Sequence, residues 1–124
     1  MTHADTDHAA NRGPGIPVIE AVVPAWNNPK DVEALLTDLK ALDTTGTDLR
    51  VLIVDNGSDN PLASTQSVLQ AAEASGLRIT FHELRSNRGG SGGFNAGMEQ
   101  ALARSNPDYI GLLDSDVRLT PTTL

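Results

Sequence analysis

The chain has 124 residues and no cysteine, and its nine basic and sixteen acidic residues give a formal charge of −7. That length suits one domain, and without cysteine there is no disulfide framework, thiolate catalysis or zinc–thiolate centre. The acidic balance argues against a sequence-independent nucleic-acid binder, which needs clustered Lys and Arg to meet phosphate. The longest apolar runs, such as Val51-Leu52-Ile53-Val54, are strand-sized, far short of the roughly 20 residues that cross a bilayer. No basic segment followed by an apolar one opens the chain, so no secretory signal is expected and the protein reads as cytoplasmic.

Residues 1–16 contain His3, His8, Gly13, Pro14 and Gly15 without periodicity, which predicts a disordered leader rather than a metal site. The domain is expected over residues 17–124. Val18 to Val23 is a β-branched apolar run, expected to close at Pro24 because proline does not continue a central strand. Asn28-Pro29 predicts an N-cap with Pro at the first helical position, and Val32, Leu35, Leu36, Leu39 and Leu42 follow at helical spacing. Arg50 to Val54 is a short buried strand. Asn60-Pro61 repeats the cap signal for a second helix, with Val68, Leu69 and Ala72 on its inner face and Gly76 as its C-terminal cap. Leu77 to Leu84 alternates with period two, a third strand near a sheet edge, with His82 a structural member.

Asn87 to Gly93 reads as a glycine loop, followed by a helix with Phe94, Met98, Ala101 and Leu102 on its apolar face. Tyr109 to Leu113 is a fourth strand ending in Asp114-Ser115-Asp116. The order β-α-β-α-β-α-β predicts a Rossmann-like α/β fold, a parallel sheet with helices on its faces and right-handed crossovers.

In such open sheets ligands sit beyond the carboxyl ends of the strands, so the segment after each strand carries the chemistry. Asp114 and Asp116 are hard oxygen donors whose mutual repulsion Mg²⁺ or Mn²⁺ would relieve, together with substrate phosphates and water. A turn cap beside a solvated acid is the plainer alternative. The four glycines of Gly89 to Gly93 permit close backbone approach ahead of an anion-favouring helix N-terminus, or are simply a flexible connection. They form no dinucleotide fingerprint, since Asn95 stands where a third Gly belongs, and no P-loop, since no Gly-Lys-Ser/Thr follows. Asp55, Asn56 and Asp59 are good turn formers, and such side chains can equally accept the imide N–H of uracil or thymine. Trp26, the single tryptophan, is either core packing or a surface beside a base.

Taken in order, these segments resemble the nucleotide-binding part of a family 2 glycosyltransferase of the GT-A fold, over residues 17–124. V-V-P-A-W-N-N (22–28) resembles the family's V-h-P-x-Y/W-N opening. V-D-N-G-S-D (54–59) resembles its D-D/N-G-S-x-D turn. N-R-G-G-S-G-G-F-N-A-G (87–97) resembles its N-x-G-x-x-x-x-x-N-x-G stretch, and D-S-D (114–116) its metal-binding D-x-D. The resemblance implies that Pro24, Ala25 and Asn27 line a nucleotide pocket with Trp26 beside it, and that Asp55 and Asn56 contact the pyrimidine. Asn56 stands where many members carry a second Asp. Gly89, Gly90 and Asn95 would shape the pocket near the ribose or pyrophosphate, Asp114 and Ser115 would approach the ribose or sugar, and Asp114 and Asp116 would hold the metal. Phe94 departs from the family's frequent basic residue. The G-G-S-G-G-F run is nearer to rhamnosyl- and galactofuranosyl-transferases, which implies dTDP-rhamnose or UDP-galactofuranose as donor and a glycan or lipid-linked acceptor.

The implied reaction is displacement with inversion, a divalent metal neutralising the departing diphosphate and a carboxylate base activating the acceptor. In the family that base lies well beyond the D-x-D, and residues 117–124 contain no acid. The base is therefore expected beyond Leu124, and no residue of the chain is assigned as catalytic. The expectation is a donor-binding half that does not turn over alone, with uncovered sheet surface favouring self-association. Two rivals remain at this point. Ile110 to Val117 also resembles the phosphatase motif of the haloacid dehalogenases, in which the first Asp is the nucleophile. A non-catalytic Mg²⁺-binding α/β module is the other.

Overall fold

The computed structural model describes residues 15–123. The predicted leader lies outside the described residues except for Gly15 and Ile16, both exposed, and the same holds for His3 and His8. Leu124, past which the catalytic base is expected, also lies outside the described residues. The elements run β1 (Val18–Ala25), α1 (Pro29–Lys40), β2 (Asp48–Asp55), a 3₁₀ turn (Leu62–Ser64), α2 (Gln66–Ser75), β3 (Arg78–Glu83), α3 (Gly89–Arg104) and β4 (Tyr109–Leu112). The four strands form one parallel sheet in the order β3-β2-β1-β4.

The two central strands are apolar on both faces, as a sheet covered on both sides requires. Ala21, Val23, Ala25, Val51 and Ile53 pack against Val32, Leu35, Leu36 and Leu39 of α1 and Val68 of α2. On the opposite face Val22, Leu52 and Val54 meet Ala96 and Ala101 of α3. Each fully buried side chain, such as Leu35, Leu52 or Ile53, stabilises the fold by roughly 1.5–3 kcal/mol relative to exposure. β3 is an edge strand as expected, and Gly76 caps α2 at a φ of 68°. Among the described residues no helix is long and apolar enough to cross a membrane.

Several boundaries differ from the sequence expectation, each for a local reason. β1 does not stop at Pro24 but runs through it to Ala25, paired with Val54 and Asp55 of β2. The carbonyls of Val18 and Val22 accept from Asp108 and Leu113 on the β4 side, so Pro24, of the same parity, turns its nitrogen that way too. The last β1–β4 pair is Val22 with Leu112, and the missing N–H therefore breaks no ladder bond. The glycine run is not a loop ahead of a helix; it is the opening of α3, which starts at Gly89. Packing overrides glycine's weak helix propensity, because Cβ atoms at Gly93 and Gly97 would crowd Pro24, Asn56, Val22 and Val54.

Asn60-Pro61 opens only the 3₁₀ turn, and α2 begins at Gln66 after Thr65. Leu62 is drawn into the core and its N–H is held by the Asp55 carboxylate at 2.8 Å, which fixes the turn before the helix can start. Leu69 and Leu102, expected on inner faces, are exposed. Val68 and Ala101 take the inward positions, and one step along a helix rotates a side chain by about 100°.

Candidate functional site

The strand order reverses between β1 and β4, the topological switch at which open α/β sheets bind ligands beyond their carboxyl ends. Four segments meet there. In the loop after β2, Asp55 is 1% exposed, and its two carboxylate oxygens accept the backbone N–H groups of Ser58 at 2.9 Å and Leu62 at 2.8 Å. Its carboxylate thus closes the loop that carries Asn56 to Asp59. The buried Asn56 side chain accepts from the Arg88 N–H at 2.8 Å and donates to the Gly89 carbonyl at 3.0 Å. Its own N–H goes to the Ala25 carbonyl, so one residue joins the ends of β1 and β2 to the start of α3. Gly57 makes this possible: at a φ of 81°, a Cβ there would lie 2.7 Å from the Asn87 nitrogen.

After β1, Asn27 adopts a φ of 52°. Its N–H donates to Ser58 Oγ at 2.9 Å, and its side chain exchanges bonds with Asp59, accepting at 2.8 Å and donating at 3.2 Å. Asn28 stands at the α1 N-cap position but makes no side-chain cap bond. Its Oδ1 accepts from the Trp26 N–H at 3.0 Å, and its Nδ2 donates to Ser115 Oγ at 2.5 Å. Trp26 is 49% exposed, so the core reading of this residue fails and an open aromatic face is left at the sheet edge. Ser115 is buried, whereas Asp114 and Asp116 on either side of it are exposed. The chain beyond is fastened to α1, where Asp38 accepts from the Leu119 N–H and the Arg118 guanidinium.

Of the residues singled out by sequence, the fold therefore brings together Pro24, Ala25, Trp26, Asn27, Asp55, Asn56, Gly89 and Ser115, with Asp114 and Asp116 beside them. Gly93 completes the contact, since a Cβ there would stand 3.1 Å from both Pro24 Cβ and Asn56 Nδ2. Gly90 is exposed in the first turn of α3, with nothing within 4 Å of a Cβ. Asn95 is not part of the cluster: it is exposed and donates to Glu99 at 3.2 Å. Two residues along the helix from Gly93, it lies about 200° around the axis. Sequence reading missed Asn28 and Ser58 as connectors. Asn28 followed by Pro carries a cap signal that hides its second use.

The profile of glycosyl transferase family 2 matches residues 20–124. The chain belongs to that family. Over 122 residues it is 28% identical to galactofuranosyltransferase GlfT2 of Mycobacterium tuberculosis and 25% identical to GlfT2 of Mycolicibacterium smegmatis. Each match covers 98% of this chain but 19% of the relative, so the chain spans about a fifth of the length of the curated relatives it matches. Among solved structures, S. aureus TarS 1–349 in complex with UDP superposes with a TM-score of 0.67 at 24% identity, over 85% of this chain and 29% of that one. The mannosyltransferase PcManGT from Pyrobaculum calidifontis, in complex with GDP-Man and Mn²⁺, gives 0.63 at 20% identity, over 91% and 33%. The parallel α/β sheet is thus that of GT-A glycosyltransferases, as the motifs implied. Family membership also disfavours the phosphatase reading of Asp114-Ser115-Asp116, which here follows the last strand and not the first.

Divalent-metal use within the family can be tested on the donor set. Among the described residues no three His, Asp or Glu side chains converge on one point. Asp114 and Asp116 nevertheless fit a Mg²⁺ or Mn²⁺ ion completed by phosphate oxygens and water. They are exposed hard donors, and among the described residues no hydrogen bond or ion pair engages either carboxylate.

Proposed function

We propose that residues 17–124 form the donor-binding part of an inverting glycosyltransferase that takes a sugar from a pyrimidine nucleoside diphosphate. The observation that carries this reading is the continuous hydrogen-bonded set at the β1–β4 switch, running from Asp55 and Asn56 through Asn27 and Asn28 to Ser115. Around it stand an exposed tryptophan, the first turn of α3 and two carboxylates without partners among the described residues, which supports the reading.

In this reading the pyrimidine lies against Trp26, with Pro24, Ala25, Asn27 and the Asp55–Asn56 corner framing it. Asp55 acts by holding that corner, because its carboxylate is buried and already accepts two N–H groups of the loop. The N–H groups of the first turn of α3 from Gly90 onward face the diphosphate, a favourable place for negative charge, while the Gly89 N–H is held by Asn87 Oδ1 at 2.7 Å. Asp114 and Asp116 would hold Mn²⁺ or Mg²⁺, which supplies charge neutralisation for the departing diphosphate. Ser115 sets their position through Asn28. Asn95 has no direct role in this geometry.

UDP-galactofuranose is the donor we favour over dTDP-rhamnose, since the two GlfT2 relatives are galactofuranosyltransferases. The acceptor is proposed as a glycan or lipid-linked saccharide at the cytoplasmic face of the membrane. Residues 117–124 contain no Asp, Glu or His, so acceptor deprotonation is assigned to none of them, and this reading looks for the base beyond Leu124. Titration of the chain with UDP, dTDP and ADP in the presence of Mn²⁺ tests the reading. A preference of about tenfold or more for the pyrimidine diphosphates is expected; equal affinity for all three would leave only a generic metal-binding module.

A further inference from the structure

The parallel register creates a second polar site at the other end of the sheet. Glu20 of β1 pairs with Arg50 of β2, and Arg50 with Arg78 of β3. Register partners point to the same face, so one row of ionisable side chains crosses three strands on the α3 side. The last turn of α3 and the residue after it, Arg104 and Ser105, cover this row and enclose a pocket of about 170 Å³. Three of the nine basic residues of an acidic chain meet there.

The pocket contains an unmet demand for negative charge. Arg50 and Arg78 are adjacent like charges, an arrangement that destabilises a strand pair when nothing lies between. Arg50 bonds to Asp48 through one terminal nitrogen at 3.0 Å. Its Nε is buried and has no hydrogen-bond partner among the described residues, although a buried unsatisfied donor costs about 1–3 kcal/mol. Glu20 is buried, and its carboxylate accepts from the Ser105 hydroxyl at 2.9 Å. Three guanidiniums set against Glu20 and Asp48 leave a positive surplus.

We propose that this pocket binds a small multiply charged oxyanion of the phosphate class, separately from the donor edge. Guanidinium forks match phosphate oxygens in pairs, and the exposed Arg78 and Arg104 supply donors from a strand and a helix end, with the Arg50 guanidinium behind them adding charge. The pocket volume of about 170 Å³ accommodates a phosphate or pyrophosphate.

Arginine Nε–Hε resonances of the ¹⁵N-labelled chain, followed while inorganic phosphate and then pyrophosphate are added at constant ionic strength, provide the test. The Arg50 signal is expected to shift and saturate. Arg78→Gln combined with Arg104→Gln should weaken binding about tenfold or more without lowering the melting temperature, since both residues are exposed. Should the pair of changes disturb folding, Arg104→Gln alone gives the same reading at smaller amplitude. Shifts that never saturate and that chloride reproduces would overturn the proposal. So would unchanged affinity in the arginine variants, which would put the anion elsewhere, the donor edge included.

Discussion

The Asn28 side chain donates to the Ser115 hydroxyl across 87 positions of sequence. That bond ties the loop leaving β1 to the turn leaving β4, and the turn carries Asp114 and Asp116. The two carboxylates are therefore aimed by a buried serine between them. Ser115→Ala should cost about 1 kcal/mol of stability or less while lowering Mn²⁺-dependent UDP affinity several-fold. Calorimetry with and without Mn²⁺, beside thermal melts, separates the two effects; unchanged UDP affinity would show that the tether does not aim the acids.

Asp114→Asn and Asp116→Asn should behave differently from Ser115→Ala. Both acids are exposed and neither carboxylate is engaged among the described residues, so stability should stay within about 0.5 kcal/mol of the parent. The increment in UDP affinity that Mn²⁺ adds should disappear, and the affinity measured in EDTA should not fall. An Mn²⁺ increment that survives both changes would move the metal elsewhere.

Two glycines of α3 should respond in opposite directions to alanine. At Gly97 a Cβ would overlap Val22 Cγ1 and lie 2.9 Å from Val54 Cγ2, both on central strands. Overpacking of this kind costs about 1–3 kcal/mol, against the roughly 1 kcal/mol that alanine gains in helix propensity, so Gly97→Ala should lower the urea midpoint. At Gly90 nothing lies within 4 Å, and Gly90→Ala should stabilise by about 0.4–1 kcal/mol. If the start of α3 faces the diphosphate as proposed, that gain comes with weaker UDP binding.

These glycines also mark the limit of what the sequence disclosed. The parallel architecture and the gathering of the segments after the strands at one edge are legible, because the alternation of strand and helix patterns implies both. The run Gly89 to Gly93 reads as a loop because propensity argues so locally, whereas the decision lies with Val22, Pro24, Val54 and Asn56, none of them nearby in sequence. Pro24 was read as a strand end for the same reason, since only the sheet order shows which flank its nitrogen faces. The row Glu20–Arg50–Arg78 was invisible, as it exists only through strand register. A charge embedded in each of two apolar strands was the signal available for it.

Glu20 gives a pH prediction. Burial pushes its carboxyl above the ordinary value of 4.5, against the opposing pull of the Ser105 bond and of Arg50 and Arg104. The folded state therefore holds the proton more tightly than the unfolded chain does, and stability from this group is fully present below 4.5 and lost as pH rises through the elevated folded value. Glu20→Gln keeps an acceptor for Ser105 but carries no charge. Its melting temperature should gain on the parent as pH is raised from about 4 to about 7, and a difference constant with pH would contradict the assignment.

Pro24 ends β1's pairing to β4 without leaving an amide behind. Any other amino acid at this position would point an N–H toward the flank where β4's pairing has already stopped, one step past Val22 and Leu112. The imino acid spares that flank of β1 a backbone donor with no strand to receive it.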